Sequence, residues 1–343
     1  MKKWLLGLTH NDIKEIVCSL ALPSFASKQI CDWIYKKGVN EISLMTNLSA
    51  VNRDKLSESY IVGGYSPIET ADSADGTKKY LFPSLNGSSV EAVMIPDEER
   101  ATLCISSQSG CKMGCKFCMT GRMGFKGNLS SGEIISQIMN VRERNDLTNI
   151  VFMGMGEPLD NIDEVLKSTQ IMTSGWGFGW SPKRITLSTI GVSGKLKRFL
   201  DESKCHLAIS LHNPFSGERA QLMPMQKAWP LEETLNLIKQ YDFTGQRRVS
   251  FEYIMFSGWN DTKRHADALI RMLRGLECRV NLIRFHQIPD FLFKSSPDAI
   301  IDNFKERLSN AGIITTVRAS RGEDILAACG MLSGTHIKTG EKQ

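Results

Sequence analysis

The chain has 343 residues, 41% hydrophobic and 23% charged, with a formal charge of +5 and a pI near 8.6. That is ordinary globular composition, with enough length for one barrel-sized domain and a smaller unit. No window approaches eighteen apolar residues, and the apolar run in MKKWLLGLTHNDIKEI is broken by His10, Asn11 and Asp12. Neither a membrane helix nor a signal peptide is expected, and a cytoplasmic location is. The mild basicity permits an RNA partner without demonstrating one.

Residues 1–62 read as a helical accessory region, in which SFASKQICDWIYKKGV places Ile30, Trp33 and Ile34 on one helix face. Breaks at GGY (63–65) and SADG (73–76) introduce a small β extension over 63–100, where KKYLF and SVEAVMI read as an antiparallel pair of strands. Pro96 and the charged run Asp97–Arg100 are expected to end it.

From 101 to 334 strands and helices alternate, and 335–343 is left as a tail. ATLCISS, NIVFMG, RITLST, HLAISL, RVSFEYIM, RVNLIRF and IITTVRAS read as strands, with helical segments between them. Ser130 with Glu133, and Asn161 with Glu164, have capping-box spacing. Ser296 is expected as an N-cap, with Pro297 at the first helical position and Gly312 just past the end. Such uniformly apolar strands suit a parallel sheet covered by helices. Periodicity alone leaves open a doubly wound sheet or an incomplete barrel.

Nine cysteines in a reducing compartment argue against a disulfide framework. Cys18, Cys31, Cys205 and Cys278 sit among apolar neighbours and read as core. Cys111, Cys115 and Cys118 are different: SGCKMGCKFCMTG crowds three thiols into eight positions, directly after the first strand of the α/β unit. Thiolates so close repel one another unless a metal neutralises them. Zinc usually takes four ligands. Iron–sulfur clusters also usually take four, and three would leave one iron open to a small molecule.

C-x3-C-x2-C with Phe117 before the third cysteine resembles the signature of the radical S-adenosylmethionine (SAM) superfamily. FMGMGEP (152–158), TLSTIG (186–191), SLHNP (210–214), LMPM (222–225) and RGEDILAACG (321–330) together resemble the RlmN/Cfr family of RNA adenine methyltransferases. The likeness runs from about residue 20 to 334. It implies an incomplete parallel (β/α)6-type barrel, one 4Fe–4S cluster on Cys111, Cys115 and Cys118, and two SAM molecules per turnover. Gly156, Glu157, Ser188, Ser210, Leu211 and His212 match the family's SAM contacts. His286 stands in NLIRFHQIPD where the family has an asparagine, and Arg284 where it has a proline.

The resemblance further implies that Cys329 becomes an S-methylcysteine intermediate, which forms a protein–RNA crosslink. Cys104 is its disulfide partner and Glu91 the proton acceptor. From the sequence alone Cys329 reads as a small buried residue, and Glu91 as the exposed residue of an alternating strand. The implied substrates are C2 of an adenine in the peptidyl-transferase region of 23S rRNA and of the purine beside the anticodon in some tRNAs. A monomer with a flavodoxin or ferredoxin as electron donor is expected. Lys36, Lys37, Lys183, Arg184, Lys195, Lys197, Arg198, Arg247 and Arg248 are candidates for phosphate contact. Competing readings are C8 methylation (Pro158 resembles the C2 branch, alanine the other), a zinc-held RNA-binding module without catalysis, and another radical SAM enzyme such as a glycyl-radical activator.

Overall fold

The computed structural model describes residues 2–192, 194–245 and 247–334; the tail at 335–343 lies outside the described residues. The first sixty residues form helices at His10–Ser19, Ala26–Cys31 and Ala50–Ser59, the second running into a π-helical turn over Asp32–Lys37. Thr9 and Asp12 close a capping box on the first helix. Strands β1 (Lys3–Trp4) and β2 (Tyr60–Ile61) pair in parallel and join the two ends of this region. Ile30 and Ile34 are buried, and Trp33 lies under the Lys37 ammonium. The region is seated on the helices beyond: Ser131 Oγ donates to the Gly7 carbonyl at 2.8 Å, and Tyr35 packs edge-on against Trp176 and Phe178.

Next come β3 (Glu69–Asp72), β4 (Lys78–Pro83), β5 (Ser89–Asp97) and β6 (Arg100–Cys104), all antiparallel. The expected strand pair is therefore three strands fused to the main sheet. The charged run after Pro96 is a tight turn, with Glu98 at φ 46°, that leads straight into β6. A small hairpin, β7 (Gln108–Gly110) and β8 (Phe125–Asn128), brackets the cysteine loop. The remaining strands are β9 (Asn149–Phe152), β10 (Ile185–Thr189), β11 (His206–Ser210), β12 (Val249–Met255), β13 (Cys278–Arg284) and β14 (Ile314–Val317). From β6 through β14 every neighbouring pair in the main sheet is parallel, in strict chain order. A doubly wound sheet would reverse direction at a switch point; this one winds one way, as a barrel does, and stays open between β14 and β3. Helices cover its strands, so β12 is buried at six of seven positions.

Ser130 and Glu133 close their capping box. Asn161 and Glu164 do not. Asn161 is buried, and its amide donates to the Ser107 and Leu129 carbonyls, while Glu164 accepts from the Ser131 amide. Tying the two ends of the cysteine hairpin takes the place of capping. Pro297, not Ser296, holds the N-cap position of helix Asp298–Asn310, because the Ser296 hydroxyl is drawn to Asp261 at 2.8 Å.

Candidate active site

The strands' C-terminal ends surround a cavity of about 200 Å³. Cys111, Cys115 and Cys118 reach it from the β7–β8 loop, Gly156 and Glu157 from the turn after β9, and Ser188 from β10. Ser210 and His212 reach it at the end of β11, Cys104 at the end of β6, and Cys329 from the C-terminal segment. Active sites belong at this end of a parallel barrel.

The cysteine loop is pinned at both sides. Lys116 N donates to Leu222 O, Cys118 N to Cys115 O, and Met119 N to Gly330 O, at 2.8–3.2 Å. Burial raises all three thiols, Cys111 to about 12, and Cys115 and Cys118 rise too; mutual repulsion adds to burial at Cys111 and Cys115. As thiolates they need a cation. Among the described residues no three His, Cys, Asp or Glu side chains meet closely enough to hold one metal ion. Three thiolates on one loop are the donor set of an iron–sulfur cluster that would keep one iron open to a small molecule.

Gly156 has φ +100°, and a Cβ there would sit 2.5 Å from Gln108 Cβ, so the turn demands glycine. Buried Glu157 accepts from Thr189 Oγ1 at 2.5 Å, Leu159 N at 3.0 Å and Ile190 N at 3.0 Å. Desolvation nevertheless lifts its carboxyl to about 7, and a ligand cation placed beside it would restore the ionised form. His212, at φ 54°, accepts at Nδ1 from Ile254 N at 3.1 Å. Burial and Arg219 push it down to about 3, so the ring is neutral with its proton on Nε2. Phe117 meets that ring edge-on at 5.0 Å.

Cys329 is open to solvent at the cavity, while Cys104 is buried. Crowding by protein atoms raises Cys329 to about 11 and Cys104 to about 12, and the charge of Arg318 opposes both. Arg318 is itself anchored to Glu252 at 3.2 Å. Thr120 Oγ1 donates to Leu332 O at 2.8 Å, which with the Met119–Gly330 bond holds the Cys329 segment over the cluster loop.

Three expected site residues are absent from the cavity lining. Leu211 is fully buried, and its carbonyl accepts from Arg219 Nε. His286 turns toward Glu323 at 3.4 Å and Ser320 at 3.5 Å. Glu91 is 0% exposed, not the exposed strand residue its alternation predicts. It lies 3.1 Å from buried Lys79 and accepts from the Ser333 and Gly334 amides, because the C-terminal segment covers that face of β5. The bland cysteines divide as well: Cys31 and Cys205 are buried, Cys278 is half-buried and Cys18 is exposed. Of the basic candidates, Arg247 is buried with Nη1 on the Leu200 carbonyl, which withdraws it from phosphate contact.

Sequence reading missed Arg219 and Arg318. Arg219, 1% exposed, gathers the Leu211, Ser210 and Ile190 carbonyls and the Gln226 side chain beneath the site. Its only sequence signal is a cation beside the LMPM motif.

The model of the radical SAM superfamily matches residues 105–269, and that of the ribosomal RNA large subunit methyltransferase N-terminal domain matches residues 4–62. A crystal structure of a radical SAM methyltransferase from Sphaerobacter thermophilus matches with a TM-score of 0.91 at 35% identity, covering 97% of this chain and 100% of that one. Fold and site together define a radical SAM methyltransferase. The chain is 55% identical to "Probable dual-specificity RNA methyltransferase RlmN" of Porphyromonas gingivalis strain W83, over 99% of both. It is 42% identical to "Dual-specificity RNA methyltransferase RlmN" of Syntrophobacter fumaroxidans, over 94% of this chain and 96% of that one. The chain belongs to the RlmN family of RNA methyltransferases, enzymes that use a 4Fe–4S cluster and SAM.

Proposed function

We propose that this enzyme methylates C2 of one adenine in the peptidyl-transferase region of 23S rRNA, and of the purine beside the anticodon in some tRNAs, with Cys329 carrying the new carbon. The observation that supports it most is that two thiols, Cys104 and Cys329, open into the same cavity as the three cysteines of the cluster loop. With a cluster held by Cys111, Cys115 and Cys118, and SAM held by Gly156, Glu157, Ser188, Ser210 and His212, the site is supplied with a methyl group and a hydrogen-abstracting radical. The contacts of Leu211 are through its backbone, and His286 contributes only if its ring turns inward.

The adenine C2 is electron-poor, so no positioned base makes it a nucleophile toward a methyl donor. Cys329 solves this in stages. Its thiolate takes the methyl of one SAM on sulfur, and S-adenosylhomocysteine leaves. That methyl loses a hydrogen atom and its carbon joins C2. The adduct then gives up the C2 proton, and its odd electron would return to the cluster, which would have spent one electron in cleaving SAM. Finally the Cys104 thiolate attacks Sγ of Cys329, and the C–S electron pair goes to the new carbon, which takes up a proton as a methyl. A Cys104–Cys329 disulfide remains for an external reductant. Glu91 is the proton acceptor once residues 333–334 move off its carboxylate. The enzyme works as a cytoplasmic monomer, with a flavodoxin or ferredoxin as electron donor. No helix among the described residues is long and apolar enough to cross a membrane.

Anaerobic purification followed by peptide mass spectrometry tests the relay, and nucleoside mass spectrometry of treated RNA tests the carbon. A methyl on Cys329 and 2-methyladenosine in the RNA are expected. Unmodified Cys329 after incubation with SAM and reductant, or 8-methyladenosine, would overturn the reading.

A further inference from the structure

The end of the barrel opposite the cavity carries a line of cations that the chemistry does not use. His206 opens β11 and Ser210 closes it, so the two ends are about 13 Å apart along this strand. Lys183 and Arg184 immediately precede β10, Arg248 immediately precedes β12, and Arg279 is the second residue of β13. The sheet register brings them side by side. Thr186 pairs with His206, Leu207 with Val249 and Ser250 with Arg279. Arg248 N donates to His206 Nδ1 at 3.0 Å, which locks the centre of the line. Burial and the charges of Arg248, Lys183, Arg247 and Arg279 push His206 down to about 4, so its ring stays neutral within the line.

Lys183, Arg248 and Arg279 are exposed and make no ion pair among the described residues. The acids nearby are otherwise engaged or apart: Asp201 holds Lys197 and Tyr241, and exposed Glu277 pairs with none of them. The line runs on into a groove of about 300 Å³ between the N-terminal region and the barrel. Lys36, Arg144, Arg184 and Trp180 line that groove, and no carboxylate does. Lys36 has Asp32 at 2.9 Å, and Arg184 donates to the Leu147 and Thr148 carbonyls while lying over the Trp180 ring. The guanidinium of half-buried Arg144 has no hydrogen-bond or ion-pair partner among the described residues.

We propose that this arc, Arg279–Arg248–Lys183–Arg184–Arg144, is a second RNA-binding surface that grips backbone phosphates of the substrate outside the nucleotides presented to the cavity. It rests on RNA being the substrate and adds where the flanking RNA lies. Cations in a row with no ion pair among the described residues are what a polyanionic backbone requires, and they read no sequence. An aromatic ring under a guanidinium at the groove adds a surface on which an unpaired base can stack. The arc thereby favours RNAs large enough to reach round the barrel over short fragments bearing the same target loop.

The test compares the intact enzyme with the triple variant Lys183→Gln, Arg248→Gln, Arg279→Gln. Fluorescence anisotropy measures binding of a full-length substrate RNA and of a short hairpin that carries only the target loop, across a salt series. The expected result is an affinity loss of about tenfold or more for the long RNA. Its log–log salt slope should become shallower by about 2, since each phosphate contact contributes about 0.7–0.9. The hairpin should bind both proteins alike. Equal loss on both RNAs, which reduced net charge alone would give, overturns the proposal, as does no loss on either. Failure of the wild-type enzyme to bind either RNA would instead overturn the reading of the substrate. If the triple variant melts early, Arg279→Gln alone must lower the slope by about 0.7 on the long RNA only.

Discussion

The two ends of the barrel treat charge in opposite ways. At the cavity end each buried charge has a dedicated partner: Lys79 with Glu91 at 3.1 Å, Arg318 with Glu252 at 3.2 Å, Glu157 with three donors and Arg219 with four acceptors. At the other end Lys183, Arg248 and Arg279 stand exposed, with no ion pair among the described residues. Buried charges must be matched because desolvation is expensive, and matching fixes their geometry. Exposed charges cost little and keep their field for a partner. Changes at the cavity end should therefore strike chemistry or folding, and changes at the far end only affinity.

The largest effect is expected from Cys329→Ala, which should abolish RNA methylation while the protein stays folded and keeps its cluster, as absorption spectra and nucleoside mass spectrometry would show. Any methylated RNA from that variant would remove the relay. Glu91→Gln should come next. It leaves Lys79 buried without its counter-charge, and a loss of about 3 kcal/mol is expected in denaturant unfolding. Lys79→Met placed with it should recover much of that loss. Arg248→Gln, by contrast, should change stability by less than about 0.5 kcal/mol. Equal losses at Glu91 and Arg248 would erase the contrast between the ends. Gly156→Ala should cost about 1–3 kcal/mol through its positive φ and the Gln108 contact, and should weaken SAM binding measured by calorimetry.

How much of this was legible in the chain depends on how local each cause is. The cysteine triplet is a contiguous loop, so its spacing is the site. The alternation of strands and helices and the Ser130 box are equally local, and the structure carries them. Winding was not legible in the periodicity, since strand order is set by packing between segments far apart; only the resemblance of the motifs implied the open barrel. Alternation predicts an exposed Glu91 by assuming that one face of β5 meets water. That face is covered by residues 333–334, which lie more than two hundred positions further along. Arg219 and Arg318 escaped for the same reason: a lone arginine shows no role until remote carbonyls, a carboxylate or thiols surround it. Asn161 shows the converse, a correct local spacing overruled by a long-range demand on the amide.

A further effect at the cavity end lies beside the His212 turn and depends on pH. Glu218 accepts from Asn213 Nδ2 at 2.9 Å and Arg264 Nη1 at 2.8 Å, and meets His265 Nε2 at 2.8 Å. Partial burial alone would raise its carboxyl, but these three partners outweigh burial and bring it from an ordinary 4.5 down to about 2. A depressed native value means that the ionised form is favoured by folding. The stabilisation is therefore complete above pH 4.5 and disappears as pH falls toward 2. With the side chain 25% exposed, its worth is about 1–2 kcal/mol after allowance for solvent screening. Asn213 follows His212 directly and accepts from Phe215 N at 2.8 Å, so protonation also loosens the turn that presents His212. Glu218→Gln keeps the shape but cannot ionise, so its melting temperature should fall less than that of the wild type between pH 4.5 and 2. Parallel curves for the two proteins over that interval would show that Glu218 contributes nothing to holding the His212 turn.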